Sequence, residues 1–213
     1  MKKTTFAVLF FLAVVPVLLF QETEDVLKNN QKLLRGVQGG GFLEKSPPGL
    51  YINLAVGYHI KSDQYFKQIY DNGTANYTVE AGYWLMRSLA VGIKLSYLHT
   101  TGKTLLLQSE TSLWQIPVMG YLKAGFKLAR RWRVYGAVDF GYLFFKEESY
   151  IGTIEDSQPG WGLESGLEYY FTKTLYLLGA VGFQSFKKTF PGLSEAQQLG
   201  GVDIRLGIGI RVF

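Results

Sequence analysis

From about residue 50 to the end of the chain, apolar residues alternate with small or polar residues in eight separate segments. Because successive side chains of a strand point to opposite faces, each segment is predicted to be a β-strand with one apolar face. Each segment is about as long as a tilted strand must be to cross a bilayer. The segments are residues 50–60, 77–85, 89–98, 114–126, 132–144, 160–171, 175–184 and 201–212.

The connectors between these segments alternate strictly between short and long. Short connectors are expected at 86–88, 127–131 and 172–174, and long ones at 61–76, 99–110, 146–159 and 187–198. Barrels of the outer-membrane type have tight turns at the periplasmic mouth and long loops outside. The pattern therefore predicts an all-β fold: an eight-stranded antiparallel up-and-down transmembrane β-barrel in a bacterial outer membrane, with both termini periplasmic.

Alternation alone does not decide which face meets lipid, because a soluble lipocalin-like barrel alternates with its apolar residues inside. Here the other face is dominated by Gly, Ala and Ser, which suit the crowded interior of an eight-stranded barrel. Aromatic residues of the apolar face collect near the segment ends, as in the belts at the two bilayer interfaces. The predicted girdle residues are Tyr58, Tyr77, Tyr83, Tyr97, Trp114, Phe126, Trp132, Tyr142, Trp161, Tyr169 and Phe171. The apolar face is therefore predicted to contact lipid.

The N-terminal region has the features of an export signal. Lys2 and Lys3 precede an apolar run that reaches Phe20, so residues 1–20 are predicted to be a signal peptide. Residues 21–48 contain acidic and then basic residues, followed by a Gly- and Pro-rich stretch. This order favours a short periplasmic leader and linker, either an amphipathic helix or a disordered segment. The barrel domain is predicted to span residues 49–213.

Ten charged residues are predicted to point into the barrel. They are the acids Glu80, Asp139, Glu164, Glu168 and Asp203 and the bases Lys94, Lys123, Arg133, Arg205 and Arg211. A narrow lumen of low dielectric constant penalises an unpaired charge, so five acids facing five bases predict a salt-bridged polar core that plugs the barrel. A gated pore or proton path is the alternative interpretation of the same residues.

Composition excludes several kinds of site. The chain has no Cys, so it has neither disulfides nor thiolate metal sites. Its formal net charge is +5, but the basic residues form no stripe of the kind that binds nucleic acid. The sequence also lacks a metal-spaced His pair and a Gly-rich phosphate loop. No cofactor, metal or nucleic-acid partner is predicted.

Two segments resemble a known family, the OmpA- and OmpX-like eight-stranded barrels of the outer-membrane β-barrel domain family, in its Bacteroidota-type members. Trp114-Gln115-Ile116-Pro117-Val118 with Gly120-Tyr121-Leu122 resembles their fourth strand, and Tyr135-Gly136-Ala137 with Phe140-Gly141-Tyr142 resembles their fifth. Phe213 resembles their C-terminal assembly signal. The resemblance implies contact with outer-membrane lipid and lipopolysaccharide, and recognition of the C-terminal strand by the barrel-assembly machinery.

Three functional hypotheses follow. A non-enzymatic barrel would be structural, or would bind an extracellular ligand or protein through apolar residues on its long loops, namely Phe66, Tyr70, Leu105, Leu106, Leu107, Tyr150 and Phe190. A narrow channel is the second hypothesis. A lipid A-modifying enzyme is the third, because His59, Ser62 and Asp63 lie near the outer end of the first strand. Triads are defined by geometry rather than by sequence proximity, so the non-enzymatic hypothesis is preferred.

Overall fold

The computed structural model describes residues 49–70, 72–103, 109–150, 152–188 and 196–212. The predicted signal peptide, the predicted leader, Leu105–Leu107, Phe190 and Phe213 lie outside these ranges, so those predictions stay untested. Within the described residues, no helix has the length and apolar character needed to span a membrane.

Eight long antiparallel strands close into a barrel, which confirms the predicted fold class. In chain order the elements are β1 (Gly49–Lys61), α1 (Gln64–Ile69), β2 (Gly73–Trp84), β3 (Leu89–Lys103), β4 (Glu110–Ala129), β5 (Trp132–Ser149), β6 (Gly152–Tyr170), β7 (Leu175–Lys188), β8 (Gln197–Gln198) and β9 (Gly201–Val212). Consecutive strands pair from β1 to β7, and β9 pairs with both β7 and β1. The two-residue strand β8 pairs with the end of β7 and is not part of the wall.

Burial in this barrel is inverted relative to a soluble protein. The outward side chains are apolar and open, with exposed fractions of 66% for Ile93, 67% for Phe140 and 70% for Leu206. The inward side chains include buried charges such as Lys123, whose exposed fraction is 1%. Only a hydrocarbon surrounding makes this arrangement favourable, because in water it would expose apolar surface and desolvate charge.

The aromatic residues proposed as girdles lie on the outward face near the two mouths. At the periplasmic end the rings of Trp132 and Tyr169 lie 4.7 Å apart, and those of Tyr169 and Phe171 lie 5.1 Å apart. At the outer end Tyr77 is directly opposite Tyr97, and Trp114 stacks on His99 at 5.0 Å. Aliphatic side chains fill the band between the two ends.

The prediction of a long loop at residues 146–159 is wrong. The β5–β6 ladder continues to the pair Ser149 and Gly152, so only residues 150 and 151 separate the two paired strands. Gly152 has a φ of 139°, a conformation that L side chains rarely adopt, which explains the Gly at this turn. Apolar and polar residues do not alternate here, because this part of the sheet lies outside the membrane and has polar side chains on both faces.

Residues 61–76 also contain more structure than the predicted loop. After β1, Asp63 caps α1: its Oδ1 accepts a hydrogen bond of 3.3 Å from the Phe66 backbone N–H. Strand β2 then begins at Gly73, several residues earlier than expected. Phe66 and Tyr70, predicted to be exposed on this loop, are instead buried in the outer mouth, with exposed fractions of 6% and 2%.

Glycines on the inward face make room for large inward side chains. A Cβ on the inward Gly92 would overlap the Tyr121 hydroxyl and the Ala81 carbonyl oxygen. On the lipid face, a Cβ on Gly120 would lie 3.7 Å from the nearest atom, the Phe140 carbonyl oxygen. Gly92→Ala is therefore expected to lower the free energy of unfolding by about 1–3 kcal/mol through overpacking. Urea unfolding in lipid vesicles measures the change, and Gly120→Ala is the control. Equal stability of the two variants would contradict this packing.

Candidate functional site

Glu164 on β6 is the centre of a buried ion network halfway along the lumen. Its Oε2 accepts a hydrogen bond of 2.9 Å from Nζ of Lys94, and the same oxygen is bonded by the guanidinium of Arg205. Its Oε1 accepts a hydrogen bond of 2.8 Å from the Tyr135 hydroxyl. Lys94 also pairs with Asp139. The wall at this level is therefore cross-linked between β3, β5, β6 and β9.

A second pair lies toward the periplasmic side. Lys123 donates to Glu80, and its ammonium also lies 4.4 Å from the centre of the Tyr135 ring. The hydroxyls of Tyr51 and Tyr121 are 2.5 Å apart, and the Tyr51 hydroxyl donates to Glu80 at 3.4 Å. The rings of these tyrosines fill the width of the lumen and their hydroxyls make hydrogen bonds, so they close the lumen at this level.

The periplasmic end of the lumen is built around Trp84. The guanidinium carbons of Arg133 and Arg211 lie 4.2 Å and 5.5 Å from the centre of a Trp84 ring. Stacking of a planar guanidinium on an indole lets a cation lie in a site that offers few acceptors. Glu168 accepts a hydrogen bond of 2.8 Å from the Tyr170 hydroxyl at the same end.

Asp203 is bonded by His59 and Asn76, a pairing that the sequence did not indicate. Nδ1 of His59 lies 3.0 Å from Oδ1 of Asp203, and Nδ2 of Asn76 donates to the same oxygen at 2.6 Å. Ser62 and Asp63 are engaged elsewhere: the Ser62 hydroxyl donates to the Gly200 carbonyl, and Asp63 accepts from the Gln198 backbone N–H. The structure therefore does not bring His59, Ser62 and Asp63 together as a triad.

Above His59 and Asp203 the outer mouth is closed by an apolar plug. It consists of Phe66, Tyr70, Leu113, Met119, Leu143, Phe145, Phe186 and Leu199, packed together beneath α1. A cavity of about 10 Å³ remains below the plug, next to His59 and Gln184, which is about enough for one water molecule. The alternation of side chains along β4 and β5 places Met119 and Leu143 on the inward face. No signal in the sequence of α1 indicated that this helix covers the lumen.

All ten charged residues assigned to the lumen by parity are buried inside the barrel. The structure brings Lys94, Asp139, Glu164 and Arg205 into one network and Glu80 and Lys123 into a pair. Arg133 and Arg211 both lie against the Trp84 ring, and Nη2 of Arg133 also donates to the Arg87 carbonyl at 3.2 Å. In the part of the chain that the structure describes, no group of three or more His, Asp or Glu side chains is arranged to hold a metal ion.

A sheet projects beyond the outer girdle, formed by residues 100–103 of β3, 110–113 of β4, 145–149 of β5 and 152–156 of β6. We call it the projecting sheet. Its hairpin adds five residue pairs beyond Phe144 and Ser157, or about 17 Å of strand. The exposed side chains of Glu148 and Glu155 both pair with Lys146, at 2.9 Å and 3.2 Å. Their hydrogen bonds, that of Glu148 first, raise the pKa of the Lys146 ammonium.

The second edge of β6 in the projecting sheet has no strand partner among the described residues. Pairing between β6 and β7 begins only at Gly160 and Phe186. Among the described residues, no strand pairs with this edge of Gly152–Pro159. Asp156 lies on this stretch and bonds the Lys188 ammonium, which holds the pKa of that carboxyl below its usual range.

The profile of the outer membrane protein beta-barrel domain matches residues 42–211. This chain belongs to the outer membrane protein β-barrel domain family. The family resemblance and the outer-membrane location predicted from the sequence are thereby confirmed, and the Bacteroidota type stays a prediction. No curated protein sequence matches the chain.

Several solved barrels of the outer-membrane type have a similar fold. Neisserial surface protein A is 12% identical, with a TM-score of 0.56, and covers 78% of this chain and 100% of its own. OprG from Pseudomonas aeruginosa is 11% identical, with a TM-score of 0.57 and coverage of 77% and 96%. Ail of Yersinia pestis, solved with the heparin analogue sucrose octasulfate, is 13% identical, with a TM-score of 0.52 and coverage of 78% and 98%. At these identities the likeness shows the fold alone.

Proposed function

We propose that this family member is a non-enzymatic outer-membrane barrel that binds an extracellular protein by adding a strand of that protein to the projecting sheet. The open edge of β6 at Gly152–Pro159 is the observation that carries the proposal. An unpaired edge presents a row of backbone N–H and C=O groups that an extended peptide can bond. The barrel holds this edge in a fixed register outside the membrane.

The side chains along the edge define the partner's character. Thr153, Ile154, Glu155 and Asp156 are exposed, and Ile154 keeps an exposed fraction of 47%. Glu148 on the neighbouring strand adds a further acid. Acidic groups beside an apolar side chain favour an extended segment that alternates basic and apolar residues, because the added strand places its side chains in line with those of the edge.

The closed lumen supports a surface role rather than transport. Ion pairs, tyrosines and the apolar plug occupy successive levels of the barrel, and an eight-stranded interior is just wide enough for its own side chains. The dyad of His59 and Asp203 lies beneath the plug, and the nearby Ser62 hydroxyl bonds the Gly200 carbonyl rather than His59, which favours a non-enzymatic role. Ail, an attachment invasion locus protein, has the same fold, so a role in surface attachment is compatible with this architecture.

The test uses the full chain in nanodiscs and two short synthetic peptides, one alternating Val with Lys and one alternating Val with Glu. We expect only the basic peptide to bind, with hydrogen-exchange protection of the amides of residues 153–157. A variant whose hairpin is shortened by replacing residues 146–155 with Asn-Gly keeps Phe145 of the plug but removes most of the projecting edge, and it is expected to lose this binding while the barrel stays folded.

Two results would contradict the proposal. One is binding of both peptides by the shortened variant as strongly as by the full chain. The other is a large, stable, ion-selective current through the unmodified protein in planar bilayers, which would favour the narrow-channel hypothesis. Altered lipid A in cells that produce the protein would favour the enzyme hypothesis.

A further inference from the structure

The three periplasmic turns of the barrel carry only positive charge. The β2–β3 turn contains Arg87, the β4–β5 turn contains Arg130 and Arg131 and follows Lys127 at the end of β4, and the β6–β7 turn contains Lys173. All five of these side chains are exposed, and none of the three turns contains Asp or Glu. We call this set of five the periplasmic rim.

The periplasmic rim lies at the height of lipid headgroups. Lys127 follows Phe126, Arg131 precedes Trp132, and both aromatic side chains are exposed on the lipid face. Nη1 of Arg131 donates to the Tyr169 hydroxyl at 3.4 Å, which holds this guanidinium beside the inner girdle. Because interfacial aromatic rings mark the boundary between hydrocarbon and headgroups, the neighbouring cations lie at the level of phosphates.

The turns are too short to carry these cations far from the membrane. In the β2–β3 turn the Leu85 N–H donates to the Leu89 carbonyl at 2.9 Å, and in the β6–β7 turn the Phe171 N–H donates to the Leu175 carbonyl at 3.1 Å. Tight closure of this kind keeps Arg87 and Lys173 within a few residues of the wall. A soluble anionic protein would have to reach them at the surface of the bilayer itself.

The outer end of the barrel has a different charge pattern. There, cations lie beside carboxylates: Lys146 pairs with Glu148 and Glu155, and Lys188 pairs with Asp156. The periplasmic rim has no carboxylate within its turns, and two further cations, Arg133 and Arg211, lie just inside the same mouth. Among the described residues, the three turns therefore give the periplasmic end an excess of positive charge at the membrane surface.

We propose that the periplasmic rim binds anionic phospholipids of the periplasmic leaflet through their phosphates. Basic residues at a membrane surface attract anionic headgroups, and each one adds to the attraction within a Debye length. The planar guanidinium groups of Arg87, Arg130 and Arg131 also match phosphate oxygens in a bidentate manner. The rim thereby fixes the depth of the barrel and collects anionic lipid around its periplasmic end.

The test measures lipid selectivity of the full chain in vesicles with spin-labelled phosphatidylglycerol and spin-labelled phosphatidylcholine. The rim variant Arg87→Gln/Arg130→Gln/Lys173→Gln removes one cation from each turn. The matched control, Lys67→Gln/Lys103→Gln/Lys187→Gln, removes three cations from the outer end. All six positions lie at or near the barrel ends, so both variants should fold.

We expect the wild type to select phosphatidylglycerol severalfold over phosphatidylcholine at low ionic strength, and molar salt to screen the preference. The rim variant should lose most of this selectivity, and the control should keep most of it. A wild type without selectivity would overturn the proposal, as would equal selectivity in the rim variant or a loss confined to the control. Selectivity that emerges only after deletion of residues 21–48 would show that this segment, rather than lipid, occupies the rim, and would also overturn it.

Discussion

Replacing Lys94 with Met is expected to lower the free energy of unfolding by about 3–5 kcal/mol. Lys94 bridges Asp139 and Glu164, and all three side chains are at least 94% buried. Met keeps most of the aliphatic volume, so the main consequence is two carboxylates in a low-dielectric lumen with a missing counter-charge. Urea unfolding in lipid vesicles, followed by tryptophan fluorescence, measures the loss.

Lys146 offers a matched control, because it also bridges two carboxylates, Glu148 and Glu155, but its side chain has an exposed fraction of 43%. Water screens these ion pairs, so Lys146→Met is expected to lower stability far less than Lys94→Met does. Adding Asp139→Asn to Lys94→Met should restore part of the loss, since it removes one uncompensated charge. Equal effects of the two Lys substitutions would show that the lumen is hydrated rather than sealed.

Replacing Ile93 with Arg is expected to cost about 2–4 kcal/mol, because it places a charge on the lipid face near the middle of the bilayer. Ile93 lies opposite Ala81 on one side and Gly120 on the other, which explains its exposed fraction of 66%. Its small neighbours give an Arg side chain little cover, and the nearest interface is several residues away in either direction. The cost should be measured as reduced stability in vesicles and slower insertion.

Ile154 is the control for this substitution. Its side chain is also apolar and exposed, at 47%, but it lies on the projecting sheet beyond the outer girdle. Ile154→Arg should therefore change stability by no more than about 0.5 kcal/mol, as for other surface substitutions. If Ile154→Arg were as costly as Ile93→Arg, the membrane boundary on β5 and β6 would have to be moved outward.

The period-two pattern predicted the barrel because every membrane-spanning strand must separate a lipid face from a lumen face. Parity alone placed Glu80, Lys94 and Glu164 on the inward face, and the structure has them there. Which charged side chains pair across the lumen was harder to predict, because it depends on the stagger between strands. Lys94 reaches Glu164 across the lumen from β3 to β6, and no local signal in the sequence encodes that distance.

The wrong predictions concern residues outside the bilayer, where a strand no longer has to alternate lipid-facing apolar and lumen-facing polar side chains. Residues 145–157 continue the sheet with polar side chains on both faces, so their strands resembled a loop. Phe66 and Tyr70 were interpreted as exposed because they lie between strands. Their burial depends on a single helical turn that folds inward over the lumen, which is a tertiary contact with Leu113 and Phe145.

The pairing of β1 with β9 affects how the chain can be assembled. Until β9 is in place, β1 and β7 both have an edge of unpaired backbone groups, and such groups cost several kcal/mol each in hydrocarbon. A chain that ends before Gly201 would therefore have no stable state within the bilayer, however well its first seven strands pair. Strand β9 thus closes both open edges at once, so a chain truncated before Gly201 is expected not to insert stably.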